Sequence, residues 1–385
     1  MITTMPSSAP AQRRFIHNPN LPQDYLSFAE NPEVRVQEAL VHIIDETPPR
    51  KLYTHHECRG LFRGPTALAY LLLKIHAIYP EIKIRGQSLR HWATSYIGAK
   101  RTGGNSAACG LACESAGYWA VEAMLDETKA PKFRDELERL VEEGGHPFEI
   151  LFGFAGLLYM IRAVEFWKPE AASLLATVKA RIVEKILGAG PGWTWHGKRY
   201  IGAVHGDIGI LTQLLLTDPK LTTNSMIRNS LQRLLSLQDQ SGNWPTKDDD
   251  QASRELVQFC HGAPGFVASL LHIGRLLPDM TEEIENAIAL GRRCIWREGL
   301  LRKEPCLCHG ILGNSLALPF GPQRDHFLAW SLPFKVAEER RQDGSVFSQE
   351  DSGRMSVWFN YWPSAAWTWA VCAADSPGVI LYSDV

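Results

Sequence analysis

Amphipathic and apolar segments alternate along most of the chain, and this pattern predicts pairs of helices. In the amphipathic segments, charged residues share helical spacing with apolar ones, as expected of helices with one buried face. They cover residues 33–46, 84–96, 132–143, 170–187, 224–237, 281–298 and 324–340. The segments between them are apolar on nearly every side, so they predict helices that are buried all round.

Short loops of small residues introduce the apolar segments. Each loop and the apolar segment that follows it form one unit. The seven units cover residues 60–75, 113–125, 149–164, 204–216, 260–273, 308–318 and 359–371. The last small residue of each loop recurs every 39 to 56 residues, at Gly64, Gly117, Gly156, Gly209, Gly265, Gly313 and Ser364. Seven helical hairpins with this period predict an all-α fold, an α/α toroid with an inner and an outer ring of helices.

An open α-solenoid has a similar period and is the alternative architecture. Closure is favoured because open solenoids usually lack cysteine and histidine at their turns and are expected to carry capping units at both ends. Residues 31–385 are therefore predicted to form a single barrel domain. Residues 1–30 are predicted to be a flexible tail, since residues 1–20 are polar, rich in proline and serine, and lack the apolar centre of a secretory signal.

Charge and cysteine content narrow the classes of function. Lys and Arg number 40 and Asp and Glu 42, so the net charge of −2 does not favour nucleic acid or an anionic membrane. No apolar stretch approaches the roughly 18 residues of a membrane-spanning helix. Eight cysteines in 385 residues are too sparse for a disulfide framework and indicate a reducing compartment. We expect a cytoplasmic monomer.

The candidate chemistry lies in three consecutive loops, where His205, Cys260-His261 and Cys308-His309 each precede a glycine. In a ring these loops share one mouth, and two cysteines with a histidine suit zinc. Cys260, Cys308 and His309 are the first choice of ligands, leaving a fourth position open for water or a thiol. With Cys306 or His261 as a fourth protein ligand, the site would instead be structural.

A zinc site with an open position predicts a thiol substrate, because zinc favours the thiolate at neutral pH. His205 occupies the same position one loop earlier and is predicted to be a general acid or base. Glu149 could bring a charge to the mouth, or could be a solvated acid at a helix N-terminus. Lys303 could attract a substrate carboxylate, or could be an ordinary exposed lysine.

Three segments carry a resemblance to a known family: TWHGKRYIGAVHGDIG (194–209), QFCHGAPG (258–265) and CLCHGILGN (306–314). They resemble those of the lanthionine synthetase C-like family, in its eukaryotic branch, and the resemblance extends from about residue 33 to residue 372. It implies a seven-hairpin α/α barrel with one zinc, held by residues matching Cys260, Cys308 and His309. His205 matches the catalytic histidine of the family, Lys303 a lysine of the eukaryotic branch, and Glu149 the acidic loop position.

In the eukaryotic branch the resemblance implies glutathione binding and addition of glutathione to dehydroalanine or dehydrobutyrine residues of damaged proteins. The bacterial branch joins a peptide's own cysteine to such residues. Both reactions are Michael additions in which a thiolate attacks the β-carbon and an acid, here His205, protonates the α-carbon. A lanthionine-forming peptide cyclase and a non-catalytic zinc or glutathione-binding scaffold are therefore the alternative functions.

A toroidal glycoside hydrolase is disfavoured because Glu114, Glu149 and Asp207 do not form an evident carboxylate pair.

The sequence departs from the family pattern at three places. The seventh loop lacks an acid and both glycines of its relatives, with Asn360 and Ser364 among the replacements, so retention of activity is open. Asp207 replaces a small or apolar residue and Cys306 a common glycine. Trp358, Tyr361 and Trp362 either narrow the mouth or pack the last helix, and packing is favoured.

Overall fold

The computed structural model describes residues 14–102, 109–248, 255–348 and 354–385, which fold almost entirely into helices. In chain order the α-helices of these residues are α1 Pro32–Glu46, α2 Pro65–Ile78, α3 Leu89–Ile97, α4 Glu114–Leu125, α5 Ala130–Glu143, α6 Phe154–Trp167, α7 Ala172–Ala189, α8 Asp207–Thr217, α9 Ser225–Ser236, α10 Ala263–Ile273, α11 Thr281–Glu298, α12 Ile311–Ala317, α13 Pro322–Trp330, α14 Pro333–Gln342 and α15 Tyr361–Val371. None of them is long and apolar enough to cross a membrane.

The inner ring consists of α2, α4, α6, α8, α10, α12 and α15. Each of these helices contacts the next, and α15 contacts α2, which closes the ring. The outer helices pack against them, as α3 does on α2, α5 on α4, α7 on α6, α9 on α8 and α11 on α10, while α1 packs on α15. The prediction of a closed all-α toroid of seven hairpins is confirmed.

Burial explains why the inner helices are apolar on all sides. Residues 154–164 of α6 are buried without a break, as are residues 207–215 of α8. The outer helix α5, by contrast, buries only Ala130, Phe133, Leu137, Leu140 and Val141, which follow helical spacing. The two patterns in the sequence therefore separate the two rings.

Two of the predicted outer helices differ from the structure. Residues 84–88, predicted to begin a helix, form an antiparallel hairpin of β2 Lys83–Ile84 and β3 Gln87–Ser88, with Gly86 at φ 76° in its turn. The predicted helix at 324–340 is divided into α13 and α14. Pro333 begins the second helix, and its ring and missing N–H prevent a continuous one.

Smaller elements complete the structure. Strands β1 Leu52–Thr54 and β4 Lys100–Thr102 pair in parallel, with Tyr53 opposite Arg101. Short 3-10 helices cover Pro22–Asp24, Gly110–Ala112, Glu127–Lys129, Pro169–Ala171, Pro219–Thr223, Gly274–Leu276 and Pro278–Met280.

Backbone hydrogen bonds join neighbouring loops at the N-terminal ends of the inner helices, which form the mouth of the barrel. Five of them connect successive loops: Phe62 N to Leu111 O (3.3 Å), Leu111 N to Ile150 O (3.1 Å), Ile150 N to Val204 O (3.2 Å), Cys260 N to Cys308 O (3.1 Å) and Cys308 N to Trp358 O (3.0 Å). The residues carrying the candidate chemistry thus lie on this ring or beside it.

Close backbone approach explains the small residues of the loops. A Cβ added to Gly209 would lie 2.0 Å from the carbonyl oxygen of Ala203, and one added to Gly313 would lie 1.9 Å from that of Leu307. Since no real side chain tolerates such distances, glycine lets the first turn of the inner helix pack on its own loop.

The final residues of the chain fill the axis of the inner ring. Residues 379–383 are buried, and the hydroxyl of Tyr382 lies within hydrogen-bonding distance of the Ser269 and Thr212 hydroxyls. The carboxylate of Asp384, 1% exposed, lies 3.0 Å from Nζ of Lys74 and accepts a 2.8 Å hydrogen bond from Tyr159. Polar groups of α2, α6, α8 and α10 thereby find partners inside an apolar ring.

Residues 14–30, which the sequence assigns to the tail, lie against the barrel, whereas residues 1–13 lie outside the described residues. The backbone of Ile16 donates to the carbonyl oxygen of Leu300 at 2.7 Å, and the Leu26 N–H donates to Nδ1 of His326 at 2.7 Å. Tyr25 packs against Trp296 with ring centroids 4.6 Å apart.

Replacement of Asp384 by alanine should lower the free energy of unfolding by about 3 kcal/mol, because it leaves the buried ammonium group of Lys74 without its counter-ion. Urea unfolding measures the change. Asp375→Ala, at an exposed position, should stay within about 0.5 kcal/mol of the wild type. Equal stability of Asp384→Ala and Asp375→Ala would contradict the role given to this ion pair.

Candidate active site

Glu149 and His205 form a hydrogen-bonded pair at the mouth, between the loops that precede α6 and α8. Nδ1 of His205 lies 2.7 Å from Oε2 of Glu149, and Glu149 is only 2% exposed. The same carboxylate accepts the backbone N–H groups of Leu151, at 2.9 Å, and Phe152. Because a carboxylate only accepts, Nδ1 of His205 carries the hydrogen, and Nε2 is the nitrogen left for proton transfer.

Aromatic rings hold the plane of the His205 imidazole. Trp195 stacks on it with centroids 4.0 Å apart and an interplanar angle of 5°, and Phe152 lies nearly parallel at 6.3 Å. The ring centroid of Tyr200 lies 6.3 Å from that of His205 and 5.7 Å from that of His261. The hydrogen bond and the stack together fix both the tautomer and the orientation of His205.

Cys260 and Cys308 lie side by side in adjacent loops. Their backbones share a 3.1 Å hydrogen bond, and Nε2 of Gln258 donates to Sγ of Cys260 at 3.1 Å. A hydrogen bond from the Cys308 thiol lowers the pKa of Cys260, although burial opposes it, and the same bond together with burial raises the pKa of Cys308. The two thiols are therefore hydrogen-bonded, and Cys260 loses its proton more readily than Cys308.

The chemistry of this donor set fits a soft metal ion, because zinc would replace the proton that joins two adjacent sulfurs. His309 follows Cys308 and is 7% exposed, with its ring centroid 5.0 Å from that of Phe359. Over the described ranges, however, no group of three or more His, Cys, Asp or Glu side chains is arranged to hold a metal ion. Zinc, and His309 as its third ligand, therefore stay predictions.

The two alternative ligands are also near the thiols. Cys306 is fully buried and close enough to raise the pKa of Cys308. Burial lowers the pKa of His261 to about 4, and nearby His205 and Lys303 act in the same direction. His261 is thus neutral at pH 7. Its ring centroid lies 6.5 Å from that of His205, which places the imidazole of the fourth loop near that of the fifth.

Lys303 is exposed at the edge of the same site. Its positive charge is close enough to lower the pKa of both Cys260 and Cys308. The backbone of Lys303 is bridged to Ser348 in parallel. The structure thus brings this lysine, predicted from its position before Cys308, to the side of the mouth that carries the thiols.

Ser364 and Asn360 of the altered seventh loop make specific hydrogen bonds. The hydroxyl of Ser364 accepts the N–H of Leu307, between Cys306 and Cys308, at 3.1 Å and donates to the carbonyl oxygen of Val357 at 2.8 Å. Oδ1 of Asn360 accepts the N–H of Ser356 at 2.7 Å. Ser364 therefore ties the loop of Cys308 to the seventh loop where a glycine would make no side-chain bond.

The aromatic residues of the seventh loop pack the barrel. Trp358 is fully buried and donates to the carbonyl oxygen of Ile380, and the Tyr361 hydroxyl donates to that of Ser331 at 2.6 Å. Trp362 stacks on His42 of α1, with centroids 4.0 Å apart. These contacts support the favoured interpretation that the three residues pack the last helix.

The carboxylates that a glycoside hydrolase would need have separate partners. Glu114 is paired with Arg101 at 2.7 Å, Asp207 with Arg199 at 2.8 Å, and Glu149 with His205. Asp207 is the first residue of α8. Burial raises the pKa of its carboxyl group, while the charge of Arg199 opposes that rise. Asp207 thus supports the local structure beside His205.

Sequence analysis did not assign roles to Trp195, Tyr200 and Gln258. All three lie inside the segments that carry the family resemblance. The signal for Trp195 and Tyr200 was two aromatic residues shortly before His205. Their contacts depend on how the loop folds back at residues 195–198, where Trp195 and Lys198 pair and His196 has a φ of 50°.

Comparison with known proteins agrees with the fold and shows the family. The family model described as lanthionine synthetase C-like protein matches residues 59–320, so the chain belongs to the lanthionine synthetase C-like family. It is 26% identical over 288 residues to "Glutathione S-transferase LANCL1" of Danio rerio, a match that covers 67% of this chain and 68% of that protein.

A second relative and a solved structure extend the comparison. The chain is 29% identical over 195 residues to "LanC-like protein GCL1" of Arabidopsis thaliana, covering 47% of this chain and 44% of that protein. The fold resembles the solved structure of "Nisin cyclase" with a TM-score of 0.59 at 13% identity, over 89% of this chain and 94% of the other. The likeness to nisin cyclase concerns the fold alone.

Replacing Ser364 by alanine should reduce the free energy of unfolding by about 1–3 kcal/mol, since it leaves the buried N–H of Leu307 without an acceptor. Chemical denaturation measures this loss. The exposed Thr177→Ala on α7 is the control and should change stability by less than about 0.5 kcal/mol. If Ser364→Ala is as stable as this control, the hydroxyl does not support the loop of Cys308.

Proposed function

We propose that the protein catalyses zinc-dependent addition of the glutathione thiol to dehydroalanine or dehydrobutyrine residues in polypeptides. The proposed zinc ligands are Cys260, Cys308 and His309, with one ion per chain. The observation that carries the proposal is the 2.7 Å contact between Nδ1 of His205 and Glu149 beside a pair of adjacent thiols. The printed name of the Danio rerio relative supports glutathione as the donor.

The thiol pair supports activation of a sulfur nucleophile. When bound, zinc would supply a positive charge that keeps an incoming thiol deprotonated at neutral pH. The chain itself already favours negative charge on sulfur here, since Gln258 donates to Cys260 and Lys303 lies nearby. Lys303 is exposed and would attract a carboxylate of glutathione to the same side of the mouth.

His205 is the proposed acid because its Nε2 is available while Nδ1 is held by Glu149. In the addition, the glutathione sulfur forms a bond to the β-carbon, and the π-electron pair moves to the α-carbon and its carbonyl. Nε2 of His205 delivers one proton to the α-carbon, and the proton lost by the thiol restores the imidazolium. The S–H bond is thus added across C=C with no oxidant or reductant.

Glu149 is proposed as a positioning residue for His205. Its carboxylate is held by two backbone N–H groups and presents Oε2 to Nδ1. This arrangement stabilises the imidazolium and keeps its plane fixed while the proton moves, as a carboxylate does for histidine in other active sites.

A cytoplasmic monomer is proposed as the working form. All eight cysteines are buried and none forms a disulfide, which supports a reducing compartment.

Cys308→Ala should abolish addition of glutathione to a dehydroalanine peptide and lower the zinc content from one per chain. Mass spectrometry of the peptide and elemental analysis of the purified protein measure the two effects. Cys294→Ala is the matched control, since Cys294 is buried in α11 away from the mouth. Wild-type protein with one zinc that leaves the peptide unmodified would refute the function. A peptide that instead closes onto its own cysteine without glutathione would indicate the cyclase reaction.

Glu149→Gln should reduce kcat at least tenfold with little change in KM, because the amide keeps the shape of the side chain but loses the charge that orients and stabilises protonated His205. Glu165→Gln, which removes a carboxylate from the pair with Lys179 at the far end of α6, should leave kcat unchanged. A wild-type kcat for Glu149→Gln would exclude the positioning role.

A further inference from the structure

A surface cavity of about 430 Å³ adjoins the His205 side of the mouth. One wall is residues 145–148, which lead directly into Glu149, and the other is residues 192–196, which fold over His205. Ala189, at the end of α7, closes one edge. The volume lies within the range of roughly 300–1,000 Å³ that holds small ligands or a few residues of a peptide.

Trp195 belongs both to this cavity and to the active site. Its indole stacks on His205 at 4.0 Å and contacts the His196 ring edge-on, with centroids 4.2 Å apart. A chain segment lying in the cavity would therefore be separated from the His205 imidazole by one ring. A residue next to that segment could reach around Trp195 to the Nε2 side.

Charge distinguishes this cavity from the thiol side of the mouth. The described residues that line it include no Asp, Glu, Lys or Arg, and Phe148, Trp193 and Trp195 supply aromatic surface. Burial lowers the pKa of His146, which favours the neutral form of this lining histidine. The thiol side, in contrast, has the exposed ammonium group of Lys303. A donor with two carboxylates, such as glutathione, suits the cationic side, whereas an uncharged stretch of polypeptide suits the aromatic cavity.

We propose that the cavity between residues 145–148 and 192–196 binds the acceptor polypeptide next to its dehydroamino acid, through an uncharged segment with an apolar or aromatic side chain. This proposal rests on the proposed function and assigns a separate subsite to each substrate. The donor approaches on the side of Lys303 and the cysteines, and the acceptor on the side of Trp195.

Filling the cavity tests the proposal. Ala189 and Thr194 both line it, and both are exposed, so Ala189→Trp and Thr194→Trp place an indole there without altering a buried position. Ala180→Trp, exposed on the same helix as Ala189, is the matched control. The probe is an uncharged nine-residue peptide with a central dehydroalanine next to a phenylalanine, and its alanine-containing analogue carries a fluorophore for binding by anisotropy.

Both filling variants should raise the acceptor KM, and the dissociation constant of the fluorescent analogue, at least tenfold. The KM for glutathione and the behaviour of Ala180→Trp should be unchanged. Unaltered acceptor binding in both filling variants, absence of analogue binding to the wild type, or a rise in the glutathione KM instead would overturn the proposal. Failure of the proposed function looks different: the wild type would bind the analogue and the filling variants would lose it, but no peptide would gain glutathione.

Discussion

Neighbouring loops at the mouth of the barrel are joined through their backbones, and the positions of the candidate chemical groups depend on this contact. The N–H of Cys260 reaches the carbonyl of Cys308, and the N–H of Cys308 reaches that of Trp358. Such bonds require inner helices that begin at the same level and approach closely, which glycine permits. The constraint brings groups about fifty residues apart in sequence into one site without a shared secondary-structure element.

The last residues of the chain contact these loops and the inner helices from inside the barrel. Residues 379–384 occupy the axis and provide partners for the polar groups of the inner helices, among them Lys74, Arg162 and Gln213. Tyr382 packs edge-on against Phe259, which precedes Cys260, and Trp358 bonds to Ile380. The end of the chain thus contacts the residues beneath both cysteine loops, so stability and site geometry are coupled.

The site is divided by the chemistry of its two sides. One side holds the buried thiols of Cys260 and Cys308 with the exposed Lys303 nearby, whereas His205 on the other side is surrounded by aromatic rings and held by one carboxylate. The altered seventh loop preserves this arrangement, since the Ser364 hydroxyl connects it to the loop of Cys308.

The sequence by itself determined the number of hairpins, their division into two rings and the loops that carry the candidate residues. This is possible because the buried faces of helices require apolar residues at a regular spacing. The same pattern did not reveal two local interruptions of the predicted helices, the turn at Arg85-Gly86 and the helix boundary at Pro333. Only the tertiary structure decided that the ring closes, that Glu149 holds Nδ1 of His205, that Trp195 stacks on its imidazole and that residues 379–384 fill the axis. Those contacts join segments far apart in the chain, and their distances depend on how neighbouring helices pack, which residue spacing does not record.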